Sequence, residues 1–228
     1  MNRPLPAKPE PTAGQEAAAP APESKPRRGR PRDPRRVEAV VEAARLAFAA
    51  HGFERTSMDE IAAASGVSKM TVYSYFPTKE ALYSATVVGT IDRGMQTEAL
   101  ARLDPLDPAA GLLEIGLALL QLMRQDDVLG CHRAVIGSAV QYGELASQFF
   151  TVGPERIVAD VARYLKAARD AGTLTLPHVH QCADQFVSLF LGLDHWRAVL
   201  GMGKPHARQD KALTKANVDF FMRAYGAR

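Results

Sequence analysis

Apolar residues recur at the three- and four-residue spacing of an α-helix through most of the chain, and no alternating, strand-like pattern competes with them. A first helix is predicted to begin at Asp33 and Pro34, because aspartate is a good N-cap and proline suits the first helical position. Gly52 followed by Phe53 predicts its end. The pattern predicts an all-α protein, with apolar stripes at Val37, Val40, Val41, Ala44 and Phe48, at Leu112, Ile115, Leu119 and Leu122, and at Ile157, Val161, Tyr164, Leu165 and Ala168.

Two short helices follow the first one. Ser57 and Glu60 have the spacing of a capping box, in which each side chain bonds to the other residue's backbone amide, so a helix should start there and run to about Ala64. Gly66 suits a sharp turn, and Ser68 is placed to cap a third helix over residues 69–75.

The rest of the chain is predicted to be helical as well. Thr78 should cap a long fourth helix over residues 79–103, which would connect the short helices to the remainder of the protein. From Pro108 onwards the pattern predicts about six antiparallel helices. Their predicted boundaries are helix starts at Pro154 and Pro177, a helix end at Gly172 and a break at Pro205 before the last helix.

Two short helices joined by a glycine-containing turn form a helix-turn-helix arrangement. The first helix of such a pair packs across the DNA backbone, and the second lies in the major groove. Val72 and Phe76 are four residues apart and should anchor the second helix to the core. The side chains left for the groove are Lys69, Met70, Thr71, Tyr73 and Tyr75.

Charge is distributed unevenly along the chain. Residues 1–36 carry nine Lys or Arg against four acids, a net of +5, whereas the remaining residues have a net charge of −2. Residues 1–24 are rich in Pro and Ala and are predicted to be disordered. The "RGRP" segment that includes Arg28 and Arg30 is typical of arms that enter an A·T-rich minor groove, although a solubilising linker is the alternative. Because residues 37–80 have a net charge of −2, the arm would supply the attraction to DNA.

The segment "FERTSMDEIAAASGVSKMTVYSYFPTKEALY", residues 53–83, resembles the DNA-binding domain of the TetR family of transcriptional regulators, as does the helix before it. The resemblance implies a three-helix DNA-binding domain over residues 33–80, preceded by the tail and arm of residues 1–32 and followed by a helical regulatory and dimerisation domain over residues 81–228. It implies phosphate contacts by Thr56 and Ser57, base contacts by Lys69, Met70 and Thr71, and backbone contacts by Tyr73 and Lys79. Ser68 is assigned as a cap first and a DNA ligand second, and Tyr75 is the last candidate.

In this family the C-terminal helices carry a ligand pocket and a dimer interface. Two helical segments near the end of the chain have apolar faces, and pairing them with their symmetry mates would form a four-helix bundle matched to a palindromic operator. The interface candidates are Phe186, Phe190, Leu193, Leu200, Leu213, Phe220 and Phe221. The pocket candidates are large or amphipathic residues, Met123, His132, Tyr142, Phe149 and Trp196, each of which could instead be plain core.

Several function classes lack support in the sequence. No apolar run approaches the length of a membrane span and the N-terminal residues lack the pattern of a secretory signal, so a cytoplasmic protein without membrane contact is expected. Cys131 and Cys182 are expected to be free thiols. In "HVHQC", His178 and Cys182 share a helical face but His180 does not, so neither a metal site nor a cofactor is expected, and no catalytic motif is present.

The sequence therefore predicts a homodimeric, sequence-specific regulator that binds double-stranded DNA, a repressor relieved by a small-molecule effector. The alternative is an architectural DNA-binding protein without a sensing role. An apolar cavity in the helical body would favour the regulator, and tight packing would favour the architectural protein.

Overall fold

Twelve α-helices follow one another in the residues that the computed structural model describes, which are 33–138, 143–203 and 207–227. An isolated antiparallel bridge between Leu174 and Gly226 is the sole strand-like pairing within those ranges. Arg28, Arg30, Tyr142 and Pro205 lie outside them. The helices are α1 (Pro34–Arg55), α2 (Met58–Ser65), α3 (Lys69–Tyr75), α4 (Lys79–Met95), α5 (Thr97–Leu100), α6 (Pro108–Met123), α7 (Asp126–Ser138), α8 (Gly143–Phe150), α9 (Arg156–Asp170), α10 (Val179–Ser188), α11 (Leu193–Val199) and α12 (Asp210–Tyr225), with a π-helical turn at Thr151–Glu155 and a 3-10 turn at Ala207–Gln209.

The first four helices begin where the capping residues predict. The Asp33 carboxylate accepts from the Arg35 amide at 3.1 Å, and Pro34 occupies the first turn of α1. Ser57 and Glu60 form the predicted capping box of α2. Ser68 and Thr78 cap α3 and α4 in the same way. These starts are set by side-chain acceptors that satisfy the free amides of the first turn, which is why local sequence could predict them.

Two predicted boundaries were wrong. Helix α4 ends at Met95 instead of residue 103, because Gln96 adopts a left-handed conformation with φ of 47° and breaks the hydrogen-bond ladder. Pro154 does not begin a helix: it lies inside the π-helical turn before α9. The predicted start at Pro177 is correct to within two residues, since α10 begins at Val179. The described part of the chain from Pro108 on holds seven helices, α6 to α12, one more than the approximate number expected.

Helix α4 links the short helices to the bundle. It packs against α1 on one side and α6 on the other. A Cβ atom at Gly94 of α4 would lie 2.5 Å from a methyl carbon of Leu122, so the glycine permits the close approach of α4 to α6. One continuous hydrophobic core runs from Val40 in α1 to Phe221 in α12. Because close-packed interiors transmit strain, a displacement of side chains in the bundle can be passed on to the short helices.

The last helices contain both core and surface apolar residues. Phe186 packs edge to face with Phe190 and Phe221, with ring centroids 5.2 Å apart in both pairs, and all three are buried. The prediction that these three contact a second subunit was wrong, because side chains that fill the protomer's own core offer no surface to a partner. The other four candidates, Leu193, Leu200, Leu213 and Phe220, are exposed.

Candidate DNA-binding surface and effector cavity

Helix α3 is anchored through one face and free on the other. Val72 is fully buried, and Phe76 packs against the same core just after the helix. Gly66, with φ of 66°, ends α2 and allows the sharp turn between the helices. On the opposite face Met70 is 86% exposed and Tyr73 is 41% exposed, whereas Tyr75 is half-buried. The structure thus gives α2 and α3 the geometry of a helix-turn-helix with an outward-facing second helix.

The first basic side chain of α3 is already paired. Lys69 Nζ lies 2.8 Å from the Asp59 carboxylate on α2, and both side chains are more than half exposed. This pairing raises the pKa of Lys69 through the hydrogen bond and the charge of Asp59. Lys69 therefore remains charged, and it must exchange Asp59 for DNA if it contacts a base or a phosphate.

Three hydroxyl groups at the helix starts are exposed or half-buried. Ser57 Oγ accepts from the Glu60 amide at 3.2 Å, which leaves the hydroxyl hydrogen for an outside acceptor. Ser68 Oγ accepts from the Thr71 amide at 3.4 Å and lies 2.8 Å from Thr71 Oγ1. The cap role of Ser68 is confirmed, and the position of these groups at helix N-termini suits contact with phosphate oxygens.

Two predicted DNA ligands hold the protein itself together. The Thr56 side chain is buried, and its hydroxyl donates to the carbonyls of Gly52 at 2.8 Å and Ala47 at 3.2 Å. Lys79 Nζ donates to the carbonyl of Thr56 at 3.2 Å and lies 4.4 Å from the centre of the Phe53 ring. The predicted phosphate contact of the Thr56 hydroxyl was wrong, because the group is enclosed. The ammonium of Lys79 is occupied by the α1–α2 connection.

An apolar cavity of about 160 Å³ lies where α1 and α4 meet the bundle. Its walls come from α1 and α4 and from helices of the bundle, and they include several aromatic rings. Of the predicted pocket residues, Met123, His132 and Phe149 line it, whereas Trp196 is half-exposed and does not. The other lining residues that carry rings or charge are Arg45, Phe48, Phe53, Tyr83, Asp127, Phe190 and His195, with Cys131 beside them.

A tyrosine and a cysteine form one polar spot in this wall. The Tyr83 hydroxyl lies 2.7 Å from Cys131 Sγ, joining α4 to α7. Burial raises the pKa of the Cys131 thiol to about 11 and raises the pKa of the Tyr83 hydroxyl above its ordinary value, so both groups are protonated at neutral pH. Cys131 and Cys182 are both free, as expected.

Two histidines form a second polar spot. The rings of His132 on α7 and His195 on α11 are 5.2 Å apart and nearly perpendicular. Burial, together with the charge of His195, lowers the pKa of His132 to about 4, and burial also lowers the pKa of His195. Both imidazoles are therefore neutral at pH 7. Nδ1 of His195 is buried and has no hydrogen-bond partner within the described residues.

Charge enters the cavity wall in paired form. Arg45 donates to Asp127 at 2.6 Å and to Glu42 at 2.7 Å, so two carboxylates surround one guanidinium. Sequence reasoning missed Arg45, Asp127, Tyr83 and the pairing of His195 with His132, because each pair comes together only when distant helices pack. The one local hint was Trp196 directly after His195.

A metal centre is not formed by the part of the chain that the structure describes. No three His, Cys, Asp or Glu side chains there are arranged to hold an ion. In the "HVHQC" segment Cys182 is buried while His178 and His180 are exposed. Among the described helices, none combines the length and the apolar character that crossing a bilayer requires.

A helix-turn-helix head that shares a helix and a core with a cavity-bearing bundle defines a DNA-binding transcriptional regulator. Residues 40–86 match the family described as bacterial regulatory proteins, tetR family, and residues 110–227 match the AefR-like transcriptional repressor C-terminal domain. The chain belongs to the TetR family of transcriptional regulators, and the predicted all-α fold and non-enzymatic class are confirmed.

Relatives of known structure and name agree with this assignment. The flavonoid-responsive regulator FrrA is 31% identical with a TM-score of 0.64, over 85% of this chain and 98% of that one. A TetR-family regulator from Mesorhizobium loti is 25% identical with a TM-score of 0.71, over 85% and 98% of the two chains. The regulator RutR of Escherichia coli K12 is 30% identical over 58% of this chain, and the match spans 63% of RutR's length.

Proposed function

We propose that the protein is a homodimeric repressor in the cytoplasm whose operator binding is relieved by a small molecule held in the cavity. The observation that carries this proposal is the position of the cavity. Phe48 and Phe53 of α1 and Tyr83 of α4 share its wall with Met123 of α6 and Phe149 of α8. A ligand would therefore press directly on the two helices that carry the DNA-binding head.

The DNA-contacting surface in this proposal is the outer face of α3 and the N-terminus of α2. Met70 is placed for apolar contact with a thymine methyl group, while Tyr73, Lys69 and Thr71 offer polar groups beside it. Ser57 and Ser68 provide hydroxyls for phosphates, and Tyr75, half-buried at the end of α3, contacts DNA at the edge of this surface. The arm with Arg28 and Arg30 adds minor-groove contacts and most of the long-range attraction.

The second subunit is proposed to bind over α11 and α12. Leu193 is 74% exposed and Phe220 is 57% exposed, and Leu200 and Leu213 add to the same apolar set. Leu193 and Leu213 line the same surface groove, and adjoining exposed apolar side chains are typical of an interface. Because His195 of the cavity lies on α11 as well, the cavity and the proposed interface share one helix.

Two relatives bear on the sign and the trigger of regulation. The matched C-terminal family is described as a transcriptional repressor, and FrrA is described as flavonoid-responsive. Both support repression relieved by a ligand, with residues 33–80 as the head and residues 81–228 as the regulatory and dimerisation part. The architectural alternative requires no cavity, and the apolar cavity between α1, α4 and the bundle speaks against it.

Footprinting of the full chain on its own upstream DNA tests the proposal. We expect protection of a discrete palindrome, weaker and less salt-dependent after deletion of residues 1–32, because fewer phosphates are neutralised. Met70→Ala should weaken the footprint, whereas Arg102→Ala, an exposed change in the turn after α5, should not. Diffuse protection that disappears with the arm would favour the architectural protein.

A further inference from the structure

We infer that the cavity selects an uncharged, single-ring aromatic molecule with one hydroxyl group, held by a hydrogen bond to His195. This inference rests on the proposed function, since it specifies the effector of the same cavity. It is carried by four properties of the described wall: its volume, its aromatic lining, its unpaired polar atom and its balanced charge.

The volume limits the ligand to about one ring. The cavity holds about 160 Å³. Drug-sized ligands occupy pockets of roughly 300–1,000 Å³, whereas an apolar cavity of about 150 Å³ accommodates benzene. The space inside the cavity therefore matches a monocyclic compound, and a fused or multi-ring molecule would have to leave part of its surface outside it.

The lining favours an aromatic ring over an aliphatic chain. Phe48 and Tyr83 already meet edge to face with centroids 5.2 Å apart, and His132 meets Phe149 in the same way at 5.8 Å. A ring inserted between these pairs can make further edge-to-face contacts, which contribute beyond the area they bury. An alkyl chain of equal volume gains only the burial of its surface.

The hydroxyl follows from the unpaired nitrogen. His195 lines the cavity with its Nδ1 buried and satisfied by no described residue, so a ligand bonds to that nitrogen after a small turn of the ring. A buried polar atom without a partner is costly, and a ligand that supplies the missing hydrogen bond removes that cost. A neutral imidazole nitrogen either accepts or donates according to its tautomer, and a hydroxyl group can answer both.

The charges in the wall disfavour ionic ligands. An anion finds Arg45 already bound to Asp127 and Glu42. A cation finds the Asp127 carboxylate occupied by that same guanidinium, with two neutral histidines and a protonated thiol on the other sides. An ion would lose its hydration without gaining a free counter-charge.

Calorimetric titration of the full chain with four matched probes tests the inference. The probes are phenol, toluene, benzoate and benzylammonium, which share one ring and differ in hydroxyl, polarity and charge. We expect phenol to bind roughly tenfold more tightly than toluene, because toluene leaves Nδ1 unpaired. Benzoate and benzylammonium should bind more weakly than either. Equal binding of phenol and toluene, preferred binding of an ion, or no binding of phenol and toluene would overturn the inference.

Variants at His195 separate the hydrogen bond from the fold. His195→Phe should bind phenol and toluene equally, because the ring stays and the nitrogen is lost. His195→Asn places a polar atom near the Nδ1 position and should restore part of the preference. His180→Phe is the matched control, since His180 is exposed on α10 and does not line the cavity. A preference for phenol that persists in His195→Phe at wild-type strength would contradict the role of His195.

Operator release, measured in parallel by fluorescence anisotropy, distinguishes this inference from the proposed function. Binding of phenol without release of operator DNA would leave the ligand class standing and overturn the proposed induction. Release of operator DNA by an ionic or multi-ring compound that competes with phenol for the cavity would support the proposed induction and overturn the inferred ligand class.

Discussion

Lys69 and Asp59 form an ion pair across the helix-turn-helix, with 2.8 Å between Lys69 Nζ and the carboxylate of Asp59. The pair joins the start of α3 to the start of α2 on the face proposed to meet DNA. It orients the lysine, but it also places a negative charge where phosphates approach. Exposed pairs of this kind contribute little to stability because water screens their charges, so the pair is easily exchanged for DNA.

Asp59→Asn should strengthen DNA binding. The change frees Lys69 and removes one repelling charge, so we expect operator affinity to rise about 2- to 10-fold, from the strength of an exposed pair plus the lost repulsion. The measurement is fluorescence anisotropy over a series of salt concentrations. Asp170→Asn, which breaks a similar exposed pair on α9, should leave affinity unchanged. Weaker binding by Asp59→Asn would show that the pair is needed to orient Lys69.

Met70→Ala should weaken operator binding by about 1 kcal/mol without lowering stability, because the Met70 side chain is almost fully exposed in the free protein. The sharper measurement replaces operator thymines by uracil, which lacks the C5-methyl group. The wild type should lose affinity at the contacted thymine, and Met70→Ala should not respond to that replacement. Met202→Ala, an exposed methionine before the last helix, serves as the control.

Lys79→Met should lower the free energy of unfolding by about 1–2 kcal/mol, since it removes the hydrogen bonds to the Glu54 and Thr56 carbonyls and the cation–π contact with Phe53. Methionine keeps the apolar stem. Denaturant unfolding at fixed protein concentration measures the effect. If Lys79 instead binds a phosphate, stability will change little and the salt dependence of DNA binding will fall by about one counterion.

Acid should destabilise the protein through His132. Its pKa is lowered to about 4 in the folded state, by burial and by the neighbouring His195, against about 6.5 in the unfolded chain. Between these pH values the unfolded state binds a proton that the folded state does not. The contribution of neutral His132 to stability is therefore complete above pH 6.5, and about 3 kcal/mol of stability is lost as the pH falls towards 4. The free energy of unfolding, measured at several pH values, should depend less on pH in His132→Gln than in the wild type. The exposed His180→Gln should keep the wild-type pH dependence.

The DNA-binding head was the part most accessible to sequence reasoning. Its helix starts depend on Ser57, Ser68 and Thr78, and its turn depends on Gly66, all of which act on backbone groups within a few residues. The end of α4 was mispredicted because Gln96 adopts the left-handed conformation, and a non-glycine residue in that conformation has no clear signal in the sequence. The roles of Thr56 and Lys79 were beyond such reasoning, because their partners were assigned by analogy and not by packing.

Sequence alone determined the helical class, the starts of the first four helices and the exposed face of α3, because capping and apolar spacing act over one or two turns. Tertiary packing decided the rest. It placed Phe186, Phe190 and Phe221 in the core while leaving Leu193 and Phe220 exposed, although all five lie on similar apolar stripes. It also brought His132 to His195 and Tyr83 to Cys131 around one cavity, since contacts between side chains distant in sequence depend on how the helices cross.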